Sequence, residues 1–204
     1  MVREDVRSDA RALLYEATAD LFTDANLNTY INQELRSLPR RGIYLEDIYT
    51  TTTVLNQVDY MLPTGTYKVE QIEINFGNSD NTDWQTINGW KQFAGAIWLP
   101  SKPSDARTLR IWIRKSFTVP SADGVTMDFP VEKSEVLSIG AAIRAYQSLM
   151  GYMSDQKNYD SIIKPDGVSM TQVGNWLKEL QSDHKRILDT YRTIPQVREM
   201  DMVN

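Results

Sequence analysis

The sequence predicts an α+β fold: a helical bundle, made of an N-terminal helical hairpin and two long C-terminal helices, with an inserted antiparallel β-sandwich or barrel-like module. Three observations predict it. Apolar residues recur at helical spacing near both ends of the 204-residue chain. The stretch from about Ile48 to Val119 alternates with a period of two and is rich in β-branched residues. That stretch also holds Trp84, Trp90, Trp98 and Trp112, four of the five tryptophans. The boundaries read as a helical bundle over 1–45 and 130–194, a β-module over 46–129, and a C-terminal tail over 195–204.

Each element follows from local chemistry. Val6, Ala10, Leu13, Leu14, Ala17 and Leu21 make one face of a first helix, with Arg7, Asp9, Arg11, Glu16 and Asp20 opposite. A break follows at Phe22-Thr23. Thr23 is placed to cap a second helix, with Asp24 in the first turn, where the helix dipole favours a carboxylate. Leu27, Tyr30, Ile31, Leu35 and Leu38 form its stripe, and Pro39 and Gly42 end it.

After Gly42 the period changes. Tyr49 to Val54 resists helix because its threonines and valine crowd the preceding turn. Val58, Tyr60 and Leu62 alternate up to Pro63, and Thr64-Gly65 is a turn signal. Val69 to Phe76, Ala96 to Leu99, and the run Leu109, Ile111, Ile113 complete at least four strands separated by short turns. On the last strand Arg110, Trp112 and Arg114 point away from those apolar residues.

Phe129-Pro130 leaves the β region. Glu132 to about Tyr159 reads as a helix apolar on nearly every side, which demands burial in the core or between subunits. Gly140 and Gly151 each cost such a helix about 1 kcal/mol against alanine, and close helix contact at both is expected to offset that. Pro165-Asp166-Gly167 is a turn, and Ser169 with Gln172 resembles a capping box. Val173, Trp176, Leu177, Leu180, His184, Ile187, Leu188 and Tyr191 form the stripe of the last helix, which Pro195 stops.

Composition narrows the function. A net charge of −5 argues against a dedicated DNA- or membrane-binding protein, because both partners attract basic patches. The chain has no cysteine, which excludes disulfides, zinc–cysteine sites and thiol nucleophiles. No signal-peptide pattern and no membrane-length apolar run is present, so no membrane partner is expected. His184 is the single histidine, which rules out a multi-histidine metal site within one chain; it lies on the apolar stripe of the last helix and is expected to pack between helices and not to act in a catalytic triad. Phosphate-binding glycine motifs are missing. Asn78, Asp80 and Asp83 fail the calcium-loop pattern, with Asp83 where glycine is needed and Gly89 where glutamate is needed. No carboxylate pair stands out for glycoside hydrolysis. The expectation is therefore a non-enzyme without catalytic residues, cofactor or metal.

Two features suggest surfaces. Arg110, Trp112 and Arg114 make a basic-aromatic strand face suited to a half-exposed sheet or to contact with a neighbouring subunit, where both residue types are enriched. The tail carries apolar residues that hint at docking. A rival use of the aromatics, with Trp84, Trp90 and Trp112 exposed, is binding of a carbohydrate or receptor.

Leu21 to Arg36 contains Leu27-x-x-Tyr30-Ile31-Asn32-x-x-Leu35 and resembles the opening hairpin of tailed-bacteriophage head–tail connector (adaptor) proteins. Tyr60-Met61-Leu62-Pro63 followed by Val69-x-x-Ile72 is similar to the stretch leading into their β insertion. Phe129-Pro130-Val131-Glu132, opening a helix through Ala141-Ala142, resembles their return into the helical core. The resemblance implies a structural virion protein of the neck, made in the host cytoplasm. It implies a homo-oligomeric ring, a dodecamer, below the portal protein, meeting the stopper or tail proteins. Double-stranded DNA would pass through its lumen without sequence-specific binding. It further implies portal contact by a C-terminal segment, placed by position at Ile194, Pro195, Val197, Met200, Met202 and Val203.

Overall fold

The computed structural model describes residues 1–16, 21–77, 82–155 and 170–192. The chain divides into two compact units: Met1–Ile43 with Val119–Asn204, and Tyr44–Thr118. The fold is α+β, helices in the first unit and antiparallel sheets in the second.

In the helical unit, α1 (Arg3–Leu13), α2 (Asp24–Ser37), α3 (Ser134–Asp155) and α4 (Met170–Tyr191) are the described helices. The first helix is shorter than its apolar stripe suggests. It stops at Leu13, and Tyr15 takes a left-handed φ of +55°. Glu16 explains the early stop: its side chain accepts from the Phe22 amide at 2.8 Å and from Arg11 at 3.0 Å, which turns the chain back toward α2. Leu21, expected on the α1 stripe, is accordingly exposed. Thr23 caps α2 as expected, its side chain accepting from the Asn26 amide at 3.2 Å. A 3-10 turn over Leu38–Arg41 follows, closed by Gly42 at φ +86°.

Leu27, Ile31 and Leu35 of α2 are fully buried. Val136, Leu137, Ala141, Ala142 and Ala145 of α3 are too. This all-round apolar helix is covered by α1, α2 and α4 of its own chain. One cluster gathers Leu14, Phe22, Leu27, Ala142, Tyr146, Leu149 and Val173, with Trp176 and Leu177 against it. Burial pushes the Tyr146 phenol up to about 12, with the nearby Tyr15 adding to it. The two α3 glycines differ. A Cβ on Gly140 would lie 2.5 Å from Glu34 Cγ, whereas one on Gly151 would meet nothing among the described residues. Close helix contact thus accounts for Gly140; among the described residues none is seen at Gly151. The turn at Pro165–Gly167 and the Ser169 cap lie outside the described residues.

The β unit contains β1 (Leu45–Thr52), β2 (Asp59–Met61), β3 (Thr66–Asn75), β4 (Trp84–Thr86), β5 (Lys91–Phe93), β6 (Ala96–Trp98) and β7 (Thr108–Lys115). Two antiparallel sheets run β1-β7-β3-β4 and β2-β6-β5. Tyr60 and Ile97 from one sheet share a core with Val69, Ile72, Leu109, Ile111 and Ile113 from the other, which makes the unit a small sandwich. The short strands β4 and β5 carry polar residues and show no periodicity long enough to read. Pairing supplies the missing signal: β4 adds to β3, and β5 joins β6 through a hairpin with Ala94 and Gly95 at φ +49° and +76°. Thr53, buried outside any strand, ties two loops together. Its hydroxyl donates to Asp105 O and accepts from the Arg107 amide, both at 2.7 Å.

Candidate interaction surfaces

The outer face of β7 holds the three residues singled out by sequence. Register sets Ile48 and Gln71 beside Trp112, Thr50 and Glu73 beside Arg110, and Glu46 beside Arg114. Glu73 organises the middle of this face. Its Oε2 accepts from Arg110 Nε at 2.6 Å and from the Trp112 indole at 3.1 Å. The Arg110 guanidinium lies 4.2 Å from the Trp84 ring centre and 5.5 Å from that of Trp112. Arg114 is buried, with Nε 3.3 Å from Glu70 and its guanidinium 5.1 Å from the Tyr44 ring centre. The strand face is therefore a ladder of ion pairs and stacked cations within one sheet. Trp84, Trp90 and Trp112 are all partly buried. Trp90 packs against the sandwich core.

Further exposed apolar residues of the β unit lie on the other sheet. On the three-stranded sheet, Met61, Ala96 and Phe93 pair in one row, and Trp98 stands in the next between Asp59 and Lys91. Met61 is 68% exposed and Phe93 72%, while Tyr60 and Ile97 point inward. Sequence reading missed this surface because β5 was not recognisable as a strand. The tail residues Ile194, Pro195, Val197, Met200, Met202 and Val203 lie outside the described residues.

Two polar centres hold the helical unit together. At one, Asp123 accepts from Arg3 at 2.7 Å, Arg7 at 2.6 Å and Asn28 at 2.9 Å, which clamps its loop onto α1 and α2. The two guanidinium groups hold its carboxyl below the ordinary range.

At the other, Glu34 is 1% exposed. Its Oε1 accepts from Arg41 at 2.7 Å and its Oε2 from Arg144 at 3.0 Å. His184 Nε2 lies 3.3 Å from Oε1, off the line of a good hydrogen bond, and has no other partner among the described residues. Burial pushes the Glu34 carboxyl up, but His184, Arg41 and Arg144 outweigh it and hold it below the usual range. His184 is thus packed between helices as expected. Its charged neighbour had a sequence signal: Glu34 falls on the apolar stripe of α2, three residues after Ile31, as His184 falls on that of α4. Among the described residues no group of acidic side chains and histidine could hold a metal ion, and no helix is long and apolar enough to cross a membrane.

No protein-family model and no curated protein sequence matches the chain. Among solved structures it is similar to a chain of the "Neck of empty GTA particle computed with C6 symmetry", at 16% identity and a TM-score of 0.30, over 88% of this chain and 91% of that one. A superposition this loose establishes no shared role.

Proposed function

We propose that the protein is a structural subunit of the head–tail connector of a tailed-phage-like particle, an adaptor that assembles as a ring next to the portal. One observation carries the reading. Several of the residues on which the adaptor resemblance rests lie in the core of the helical unit, on both sides of the β insertion. Leu27, Ile31 and Leu35 from before the insertion, and Phe129, Ala141 and Ala142 from after it, are all buried. The helical unit is assembled from both flanks of the insertion, as that resemblance implies.

On this reading Phe93, Met61 and Trp98, with the open rim of the Arg110–Trp112 face, supply contacts between neighbouring subunits. A closed ring built from one heterologous contact covers such surface on every copy. The tail residues Ile194 to Val203 supply the portal contact, and the acidic surface lets DNA pass without retention. Twelvefold closure is part of the proposal.

Imaging of the native particle tests it. The expected result is density for this fold in a ring between portal and tail. Particles that contain the polypeptide elsewhere, or not at all, would sink the proposal. Native mass measurement of the protein mixed with portal gives a second check, with a ring-sized increment expected.

A further inference from the structure

We propose that a cleft in the helical unit is a docking site for an acidic peptide segment of a partner protein. The cleft is formed by the 3-10 turn after α2 together with α3 and α4, and has a volume of about 430 Å³. Ile143 and Leu188 give it an apolar floor, while Arg41, Lys185 and Arg192 stand around it and His184 closes its buried side. The inference does not depend on the connector reading.

Charge is the first reason. Glu34 behind the cleft is already satisfied by Arg41 and Arg144, with His184 at 3.3 Å. That single carboxylate neutralises one of the two guanidinium groups and leaves the rest in surplus. Arg41 spends one N–H on Glu34 and is held by it, so its other donors are pre-oriented. Lys185 and Arg192 have no ion-pair partner among the described residues. Asp189 is the one carboxylate among the described lining residues, and it opposes an anion without balancing three cations.

The second reason is the buried imidazole. His184 is 7% exposed and borders the cleft, and its Nε2, 3.3 Å from Glu34 Oε1, makes no well-aligned hydrogen bond among the described residues. A buried polar atom this poorly aligned with its neighbour gains from a further hydrogen-bonding group brought in by a ligand.

The third is the mixture of surfaces. A free inorganic anion has no use for the Ile143–Leu188 floor. A peptide carboxylate brings methylenes and neighbouring side chains that would cover it, and its charge matches the arginines in a fork geometry. A cationic cleft on a chain of net charge −5 also selects locally, because the rest of the surface repels an acidic ligand.

The test uses the full chain and a fluorophore-labelled hexaglutamate peptide, read by anisotropy, with hexaglutamine as control. Lys185→Glu with Arg192→Glu removes two exposed cations, so the fold is kept, and binding is expected to weaken at least about tenfold. Asp189→Asn is expected to tighten it several-fold. Unchanged affinity in the double variant, or equal binding of hexaglutamine, overturns the proposal. Displacement of the peptide by inorganic phosphate at equal concentration also overturns it, since the cleft would then be a site for a free anion.

Discussion

Replacing Gly140 with alanine should destabilise the helical unit, although alanine is the better helix former. Gly140 sits within α3, where the exchange alone would gain about 1 kcal/mol. The new Cβ would stand 2.5 Å from Glu34 Cγ, 2.6 Å from Cδ and 3.1 Å from Oε1. These atoms cannot retreat freely. Glu34 is fully buried, and its carboxylate is held by Arg41 on one oxygen and Arg144 on the other. Overpacking of this kind costs about 1–3 kcal/mol. Full loss of a buried ion pair costs about 3–5 kcal/mol. Partial displacement of Glu34 lies between these, so after subtracting the helix gain the net loss should be about 1–3 kcal/mol.

Urea unfolding followed by far-UV circular dichroism at 222 nm reports the helices directly, and the midpoint should fall with little change in slope. Gly174→Ala in α4, where an added Cβ meets nothing among the described residues, is the control and should gain up to about 1 kcal/mol. The decisive comparison is a double-mutant cycle. In a Glu34→Ala background the obstruction is gone, so Gly140→Ala should be neutral or stabilising there. Equal stability of Gly140→Ala and the parent, or an equal loss in both backgrounds, would refute the assignment of Gly140 to this contact.

Acid should act through the same centre. Glu34 is held below its ordinary value of 4.5 in the folded protein, so its contribution is complete above the unfolded value and is lost as pH falls through the folded one. Urea midpoints from pH 7 to pH 3 should therefore drop further in the parent than in Glu34→Gln, and the gap between them should narrow below about pH 4.5. Asp123→Ala should lower stability by about 1–2 kcal/mol, judged by the same denaturation. It strands the buried Arg3 and Arg7, while the 39% exposure of Asp123 lets water screen part of the lost attraction. Glu73→Ala should cost the β unit about 1–2 kcal/mol and alter tryptophan emission, because Trp112 loses its indole acceptor and Arg110 its ion pair. Ala94→Gly should stabilise the β5–β6 hairpin by up to about 1 kcal/mol in a thermal melt, since φ +49° strains alanine and not glycine.

The elements that could be read from sequence are those whose burial is one-sided and long. Leu27, Ile31 and Leu35 recur over three turns, and Leu109, Ile111 and Ile113 over a full strand, so each period is visible before any partner is known. Thr23 was legible because a cap is a local device. The failures share a cause. Strands β4 and β5 are three residues each and owe their existence to β3 and β6, which no window of their own sequence contains. The end of α1 is set by Glu16 reaching amides five and six residues ahead, a contact that overrides a continuing apolar stripe. The strand face of Arg110, Trp112 and Arg114 was visible as a pattern, but its partners Glu70, Glu73 and Trp84 come from strands brought in by pairing.

Glu34 shows why polar centres are harder to find than cores. A carboxylate on an apolar stripe looks like an interruption of the pattern. It makes sense only when Arg41, Arg144 and His184, far apart in the chain, converge on it. Gly140 is the complementary half of that design: the one place on α3 where a side chain is omitted so that a carboxylate from α2 can enter the core. A buried charge seldom adds stability over an apolar replacement, so its presence here is better explained by what it holds in place. Glu34 fixes two guanidinium groups and draws an imidazole close, at the inner wall of an open cleft. The fold thereby keeps positive charge ordered at one surface of an otherwise acidic protein, where mobile lysines alone would leave it diffuse and hydrated.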